Sequence, residues 1–483
     1  MKFRIYFTPF VFLLATAPPV SMPGQADPGN WPPLLGDAVQ ALSHYIQYPS
    51  ISGSEANAGK FFAALCEAKG LYVQLMGEED GRFNFAASLY PLGMNKPNVV
   101  FLNHIDVVEA DTVSAHWTHA PFGGEVSDGR IWGRGAFDNK GAAIMHLFAV
   151  AAFTGLAKEQ ELPFNVSLLA VSCEETSCPG GIGYVIEHFL EALNPVVVYG
   201  EGPPSLDGIV PSHPEQLLFA ISLAHKRPFW LKLQAQIPCL GHGSVTPLEY
   251  ANKEMARALH RLSSWKPKLQ FNRHNSRMLK DLGRLEGGIS GFFLKNHRWT
   301  RPIVAPALRK EPALSALFTD NVTLTGFQSG GESTINSIPQ ECTAFLDCRL
   351  LPESDQERFL KKLKRRIGSD AIQVEVLLET PGVEPSSPEN PFYEALFESI
   401  AAYYPAAEVI PIILPNYTDD GWFRAAGVPS YSSIPVCMPR ASLECVHGGD
   451  EHLPVQALED GIAVFRSLIE KILHMETYLP GKK

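Results

Sequence analysis

The sequence predicts an α/β fold, a mostly parallel sheet flanked by helices and interrupted by an inserted α+β unit. Three observations predict it. Short, fully apolar runs alternate with helical stretches through the first half of the chain, as expected for strands buried on both faces of a parallel sheet. From about Arg227 the texture changes to amphipathic strand candidates around two helices, and after Pro381 the helix–strand alternation resumes. One α/β domain split by an insertion accounts for all three.

Taken in order, residues 1–26 read as a secretory signal peptide. Lys2 and Arg4 precede an apolar run from Ile5 to about Ala17, and Gly24 and Ala26 supply the small residues before a cleavage point. The run is shorter than the ~20 residues of a spanning helix. The expected location is the periplasm or the exterior, with no membrane contact after signal removal. Helical spacing follows at 34–48 and 55–69, then a strand at 98–102, a helix at 139–153 and a strand at 165–171. A helix at 181–193 and a strand at 195–199 complete the first part. Within the insertion, strands at 229–236, 321–327, 341–350 and 373–378 flank helices at 248–262 and 354–366. The stretch 266–314 between them reads as basic and irregular, with Phe292, Phe293 and Trp299. A last helix spans 455–474. The expected organisation is therefore a signal peptide (1–26), a first α/β segment (27–225), an inserted unit (226–381) and a second α/β segment (382–483).

Composition limits the function. Of 483 residues 45% are hydrophobic, enough for sizeable cores and unlike a disordered chain. The net charge of −11 gives neither nucleic acid nor an anionic membrane an overall electrostatic reason to bind. Eight cysteines include no CxxC pair, so a cysteine-based zinc site has little support. Cys342 and Cys348 lie six apart on one predicted strand, too far to bridge.

Chemistry gathers at strand ends. Three apolar runs lead directly into His104, the pair Glu174 and Glu175, and Glu201. In open α/β sheets the ligand crevice lies beyond the carboxyl ends of the strands. His104 and Asp106 face the same side of an extended segment, which suits a metal-binding imidazole steadied by a carboxylate. Asp138 follows a Gly-rich turn just before a helix, and His447 lies in a polar turn with Gly448 and Gly449. His452 competes with His447 but lacks that turn, and His116 and His119 are read as surface histidines. So many carboxylates at one sheet edge need cations. Two divalent ions meet three carboxylates (Asp138, Glu175, Glu201) and two neutral imidazoles, leaving one positive charge for a hydroxide.

The segments NHIDVV, GRGAFDNKGA, SCEET, YGEG and HGGDEHL resemble, in order and spacing, the dizinc metallopeptidase family of aminoacylases, carboxypeptidase S and glutamate carboxypeptidases. The resemblance implies that Asp138 bridges two zinc ions, with His104 and Glu201 on one and Glu175 and His447 on the other. Manganese or cobalt would suit the same ligands. It implies that Asp106 orients His104 and that Glu174 is the general base for a metal-bound water attacking an amide carbonyl. The inserted unit resembles that family's lid or dimerisation domain. There, GHGSVTP places His242 as the oxyanion-stabilising histidine, and Asn336 and Arg349 as groups that grip a substrate carboxylate. The implied assembly is a homodimer through the lid, with a monomer as the alternative. The closest branch is that of carboxypeptidase S and secreted N-acyl amino acid hydrolases. The implied substrate is a small peptide losing its C-terminal residue, or an N-acyl amino acid. An exported dipeptidase, with Glu109 or Asp111 reading a free amino terminus, is the alternative. A catalytically inactive binding protein is a third reading, against which all five ligands and the base stand intact. Two departures stand out. Cys173 replaces the family's usual Asp and is expected to be a small buried packing residue, with a bridge to Cys178 as the other reading. In YTDDGWFRAAGVP, Gly421 stands where the family usually has Arg, leaving Arg424 as a neighbouring substitute.

Overall fold

A computed structural model describes residues 33–475, except 113–115, 179, 207, 239–240, 331–334 and 381. The signal peptide expected at 1–26, and Cys239, lie outside the described residues. Among the described residues, fifteen strands form three sheets. In chain order they begin with β1 (Tyr72–Glu79), β2 (Arg82–Ser88), β3 (Asn98–His104), β4 (Val126–Ser127) and β5 (Arg130–Trp132). Next come β6 (Asn165–Val171), β7 (Pro195–Gly200), β8 (Leu218–His225), β9 (Arg227–Gln236) and β10 (Asn321–Gln328). The last are β11 (Glu341–Leu350), β12 (Ile372–Glu379), β13 (Glu408–Leu414), β14 (Ser430–Ser432) and β15 (His452–Pro454).

The large sheet has the order β1-β2-β6-β3-β7-β14-β8-β13. Its centre is parallel, with β3 flanked by β6 and β7. Every residue of β3 and β6 is buried, which is why their middles are apolar on both faces instead of alternating, with Asn98, Asn103, His104, Asn165 and Ser167 as the polar exceptions. Helix Lys140–Ala151 packs beneath them, buried along all but its last residue, and joins helix Val455–Leu473 in the main core. The antiparallel hairpin β1-β2 at one edge and strands β8 and β13 at the other were not anticipated. The first alternates too weakly in hydrophobicity, and the latter two were masked by the insertion between them.

The second sheet, β10-β11-β9-β12, is antiparallel. Strand β11 alternates buried and half-exposed residues, and its inner face packs with helices Ala251–Ser263 and Gln356–Ile367 into a separate core. The third sheet, β15-β5-β4, is small and ties the His447 turn to the Asp138 turn.

One expectation is corrected. Residues 266–314 are not irregular: they contain helices Arg273–Glu286, Gly288–Lys295, His297–Leu308 and Pro312–Ala316. Gly287 and Gly288 separate the first two helices, and Pro302 and Pro306, which the helix His297–Leu308 accommodates, read as helix breakers in the sequence. These helices lie within the inserted range, yet their apolar residues Met278, Leu279, Val304 and Leu308 pack against Leu218 and Ile410 of the large sheet.

Candidate metal centre and active site

His104 closes β3, so the strand's end fixes its side chain, which is 3% exposed. Its Nδ1 donates to the Asp106 main-chain carbonyl at 2.9 Å, while the Asp106 carboxylate lies 3.6 Å away. That carboxylate is engaged elsewhere. It accepts from Ser52 Oγ at 2.7 Å and from the backbone N–H groups of Glu174 and Glu175 at 3.1 and 3.0 Å. Asp106 thus orders the Glu174-Glu175 turn as much as it steadies His104, a connection between two motifs that spacing does not reveal.

His104 Nε2 approaches Asp138 Oδ1 at 3.0 Å and Glu201 Oε2 at 3.2 Å. On the other side, His447 Nε2 lies 3.1 Å from Asp138 Oδ2 and 3.3 Å from Glu175 Oε1. Asp138 therefore offers one oxygen to each of two groups, His104/Asp138/Glu201 and Asp138/Glu175/His447. In each, the candidate ligand atoms lie within 4.8 Å of one another. The five predicted ligands converge with Asp138 between them.

The electrostatics describe a site in need of positive charge. Burial lowers the basicity of His104, but hydrogen bonds to Asp106, Asp138 and Glu201 outweigh it and raise its pKa well above the ordinary value. Hydrogen bonds to Asp138 and Glu175 raise His447 to about 10. Burial works to raise Asp138, yet both imidazoles hold it well below the usual range. Glu201 is pushed up to about 7 by burial and by the Asp138 charge. Protons on the two imidazoles occupy the electrostatic role that divalent cations fill, and ligation requires those protons to leave.

Glu174 belongs to neither group. Burial raises its pKa well above the usual carboxylate value, and the charges of Glu201, Asp419 and Glu175 add to the rise against His104. A carboxyl so placed suits proton transfer near neutrality. Cys173 is not merely a packing residue: it forms a disulfide with Cys178, closing a small loop around Glu174 and Glu175.

Two further residues that the sequence reading passed over hold the centre together. Buried Glu451 accepts from the backbone N–H groups of Phe137 and Asp138 at 3.1 and 3.2 Å and from Arg134 at 2.6 Å. Arg134 in turn donates to the Gly448 carbonyl at 2.9 Å. Both side chains lie within motifs already noted, but only their contact reveals the link. Asp450 adds to it by accepting from Thr118 and from the backbone N–H of His119, while His452 bonds Ser442 at 2.8 Å. His119 stacks on Trp132 and His116 is exposed.

In the inserted unit, His242 and Asn336 lie together and Arg349 lies apart from them. His242 is exposed, and its Nδ1 accepts from the backbone N–H and hydroxyl of Ser244. Asn336, also exposed, accepts from Gly243 N through its carbonyl at 2.7 Å. Arg349 is at the other end of β11, opposite Pro228, with its Nε on the Asp347 carboxylate at 2.9 Å. Eight residues of strand separate Glu341 from Arg349, roughly 26 Å at ~3.3 Å per residue. Arg424 is not free to stand in for the missing arginine, because both of its terminal nitrogens are bound to buried Asp420, at 2.6 and 2.8 Å.

A family model described as Peptidase family M20/M25/M40 matches residues 100–471. The chain belongs to that family. Among M20 relatives, the probable carboxypeptidase S-like 2 of Dictyostelium discoideum is 25% identical over 398 residues, spanning 79% of this chain and 72% of that one. The N-fatty-acyl-amino acid synthase/hydrolase PM20D1 of Mus musculus is 27% identical over 389 residues, 78% of this chain and 74% of its own. In fold, the chain is similar to the M20 metallo-carboxypeptidase Sso-CP2 of Sulfolobus solfataricus, with TM-score 0.68, 21% identity and 92% and 100% of the two chains covered. It is also similar to YXEP of Bacillus subtilis, described as a dinuclear metal-binding M20 peptidase, with TM-score 0.56, 11% identity and 91% and 98% covered. The protein is accordingly a hydrolytic enzyme of a metal-dependent peptidase family, with the mixed α/β architecture of that family.

Proposed function

We propose that the protein is an exported dizinc amidohydrolase that cleaves the amide bond of an N-acyl amino acid or of a small peptide's C-terminal residue. The observation that carries this reading is the pair of His/carboxylate groups sharing Asp138, with the separate half-buried carboxyl of Glu174, its pKa raised, electrostatically linked to them. Two imidazoles and three carboxylates suit zinc, and manganese or cobalt less selectively. Cations held there would supply Lewis acidity and water of lowered pKa. Glu174 takes the proton from the attacking water and delivers it to the leaving amine. Asp106 keeps His104 and the Glu174-Glu175 turn in register. Arg349 holds the substrate carboxylate. His242 lies on the far rim of the lid, so it serves an oxyanion in the site of a second copy, which makes the working form a homodimer. The PM20D1 and carboxypeptidase S-like relatives favour acylated amino acids and peptides as substrates, and the basic, then apolar N-terminus favours export.

The test is hydrolysis of a panel of N-acyl amino acids and dipeptides by chelator-treated, zinc-reloaded protein and by Glu174→Ala. The expected result is zinc-dependent amine release that falls by about 10²–10⁴ in Glu174→Ala while zinc binding persists. Cleavage confined to dipeptides with a free amino terminus would replace this reading with the dipeptidase one. Activity unaffected by Glu174→Ala would remove Glu174 as the base.

A further inference from the structure

The helices Gly288–Lys295 and His297–Leu308 are apolar on two faces. One face carries Val304 and Leu308 into the core against the large sheet. The other leaves Trp299 89% exposed, Ile289 78%, Phe292 56% and Ile303 40%. The pairs Ile289/Phe292 and Trp299/Ile303 are spaced three and four apart, so each occupies one side of its helix. The platform is preformed: Gly291 lies against the backbone of Gly283, where any Cβ would collide with the Gly283 carbonyl oxygen.

The charge is as unusual as the apolar exposure. Residues 266–314 contain eleven Lys and Arg against three Asp and Glu, a net +8 in a chain whose total is −11. The two helices themselves carry Lys295, Arg298 and Arg301 and no acidic residue. All three cations are exposed, and among the described residues none has a carboxylate partner; Arg301 instead lies 4.3 Å over the Phe271 ring. Other cations of the segment are compensated, such as Arg273 and Arg277 by Glu389. Lys295, Arg298 and Arg301 are thus among the cations of the segment that no carboxylate compensates among the described residues, and they are the ones carried by the two helices with the exposed aromatics.

We infer that this helical pair docks on an anionic lipid surface, with Trp299, Phe292 and Ile289 entering the interfacial layer and Lys295 and Arg298 meeting headgroup phosphates. Aromatic and aliphatic side chains on a rigid helix face, flanked by Lys and Arg, are the composition such surfaces retain. Trp in particular favours the boundary between headgroups and acyl chains. A second copy of this chain is a poorer occupant, because a twofold contact would set Lys295, Arg298 and Arg301 of one copy against the same cations of the other. The whole-chain charge hides this patch, since the acidic residues that outweigh it lie elsewhere. The docking does not depend on the reaction assigned above. Its consequence does: at a lipid surface, amphiphilic N-acyl substrates would be concentrated.

The test is sedimentation of the full chain with vesicles of phosphatidylcholine alone or with about one-third phosphatidylglycerol. The wild type should partition to the anionic vesicles, and high salt should weaken this. Phe292→Ser with Trp299→Ser, and separately Lys295→Glu with Arg298→Glu, should each lower the partition at least about tenfold with thermal unfolding unchanged. The N-terminal apolar run is common to all variants, so the difference isolates the helical pair. Failure of the wild type to bind, or equal binding by both double variants, overturns the proposal. Self-association of the wild type that Phe292→Ser with Trp299→Ser abolishes, without lipid binding, would assign the face to a second copy instead. Loss of amide hydrolysis in either variant with lipid binding intact would also count against it.

Discussion

Gly421 is a glycine for a steric reason: a Cβ there would collide with Nε2 of His225, which is buried at the end of β8. An arginine at 421 and an imidazole at 225 exclude each other. The His225 ring donates from Nδ1 to the Lys226 carbonyl at 3.1 Å, and burial together with the nearby Arg424 pushes its pKa down to about 4. The imidazole is therefore neutral beside Asp420. Burial would raise the Asp420 carboxyl, but the Arg424 charge outweighs it and holds the pKa at about 2, against 3.8 for an ordinary Asp. A depressed folded-state pKa gives stability that is full above the unfolded value and fades as the pH falls through the folded one. Its size here is about 2 kcal/mol. Asp420→Asn should therefore be less stable than wild type at pH 7 by at least that amount, since Arg424 is also left unpaired. The deficit should shrink between about pH 4 and pH 2. Urea unfolding across that range measures it, and a deficit independent of pH would remove Asp420 as its source.

At the level of elements, the site depends on joining turns that lie far apart in sequence. The carboxylate of Glu451 accepts from the backbone beside Asp138, and Arg134 carries the link on to the turn of His447. Neither touches a candidate ligand atom through its own side chain, so their role is to position the ligands. Loss of such supporting contacts typically lowers metal affinity 10- to 100-fold. Glu451→Ala should weaken zinc binding by about that factor. Glu451→Gln, which keeps one acceptor for the Phe137 and Asp138 N–H groups, should recover part of it. Competition against a chelator of known affinity gives the readout, and unchanged affinity in Glu451→Ala would reduce the clamp to a fold contact.

For the whole molecule, the distance along β11 bears on the proposed dimer. His242 is at one end of the strand pair and Arg349 at the other, so the proposed roles of both on one substrate call for two copies. Mixing Glu174→Ala with His242→Ala provides the test. If His242 acts across a dimer, the mixed dimers regain one complete site, and a random mixture should recover about a quarter of wild-type activity. If His242 acts within its own chain, the mixture should remain as inactive as its components.

The sequence by itself determined the parallel core, the inserted second sheet and the five ligand candidates, because each is written locally. Fully apolar runs mark strands buried on both faces, and His104, Glu175 and Glu201 follow such strands by chain geometry alone. Asp138 and His447 were legible from their glycine-rich turns. Other features were decided by tertiary structure, because each joins groups without a fixed sequence distance. They include the Asp106 contacts to the Glu174-Glu175 turn, the Arg134 and Glu451 clamp, the disulfide of Cys173, and the His225 ring that dictates Gly421. The exposed face of helices Gly288–Lys295 and His297–Leu308 was hidden for a different reason. Glycines and prolines there read as breakers although the helix His297–Leu308 runs through both of its prolines, and only packing shows which of two apolar faces the core leaves uncovered.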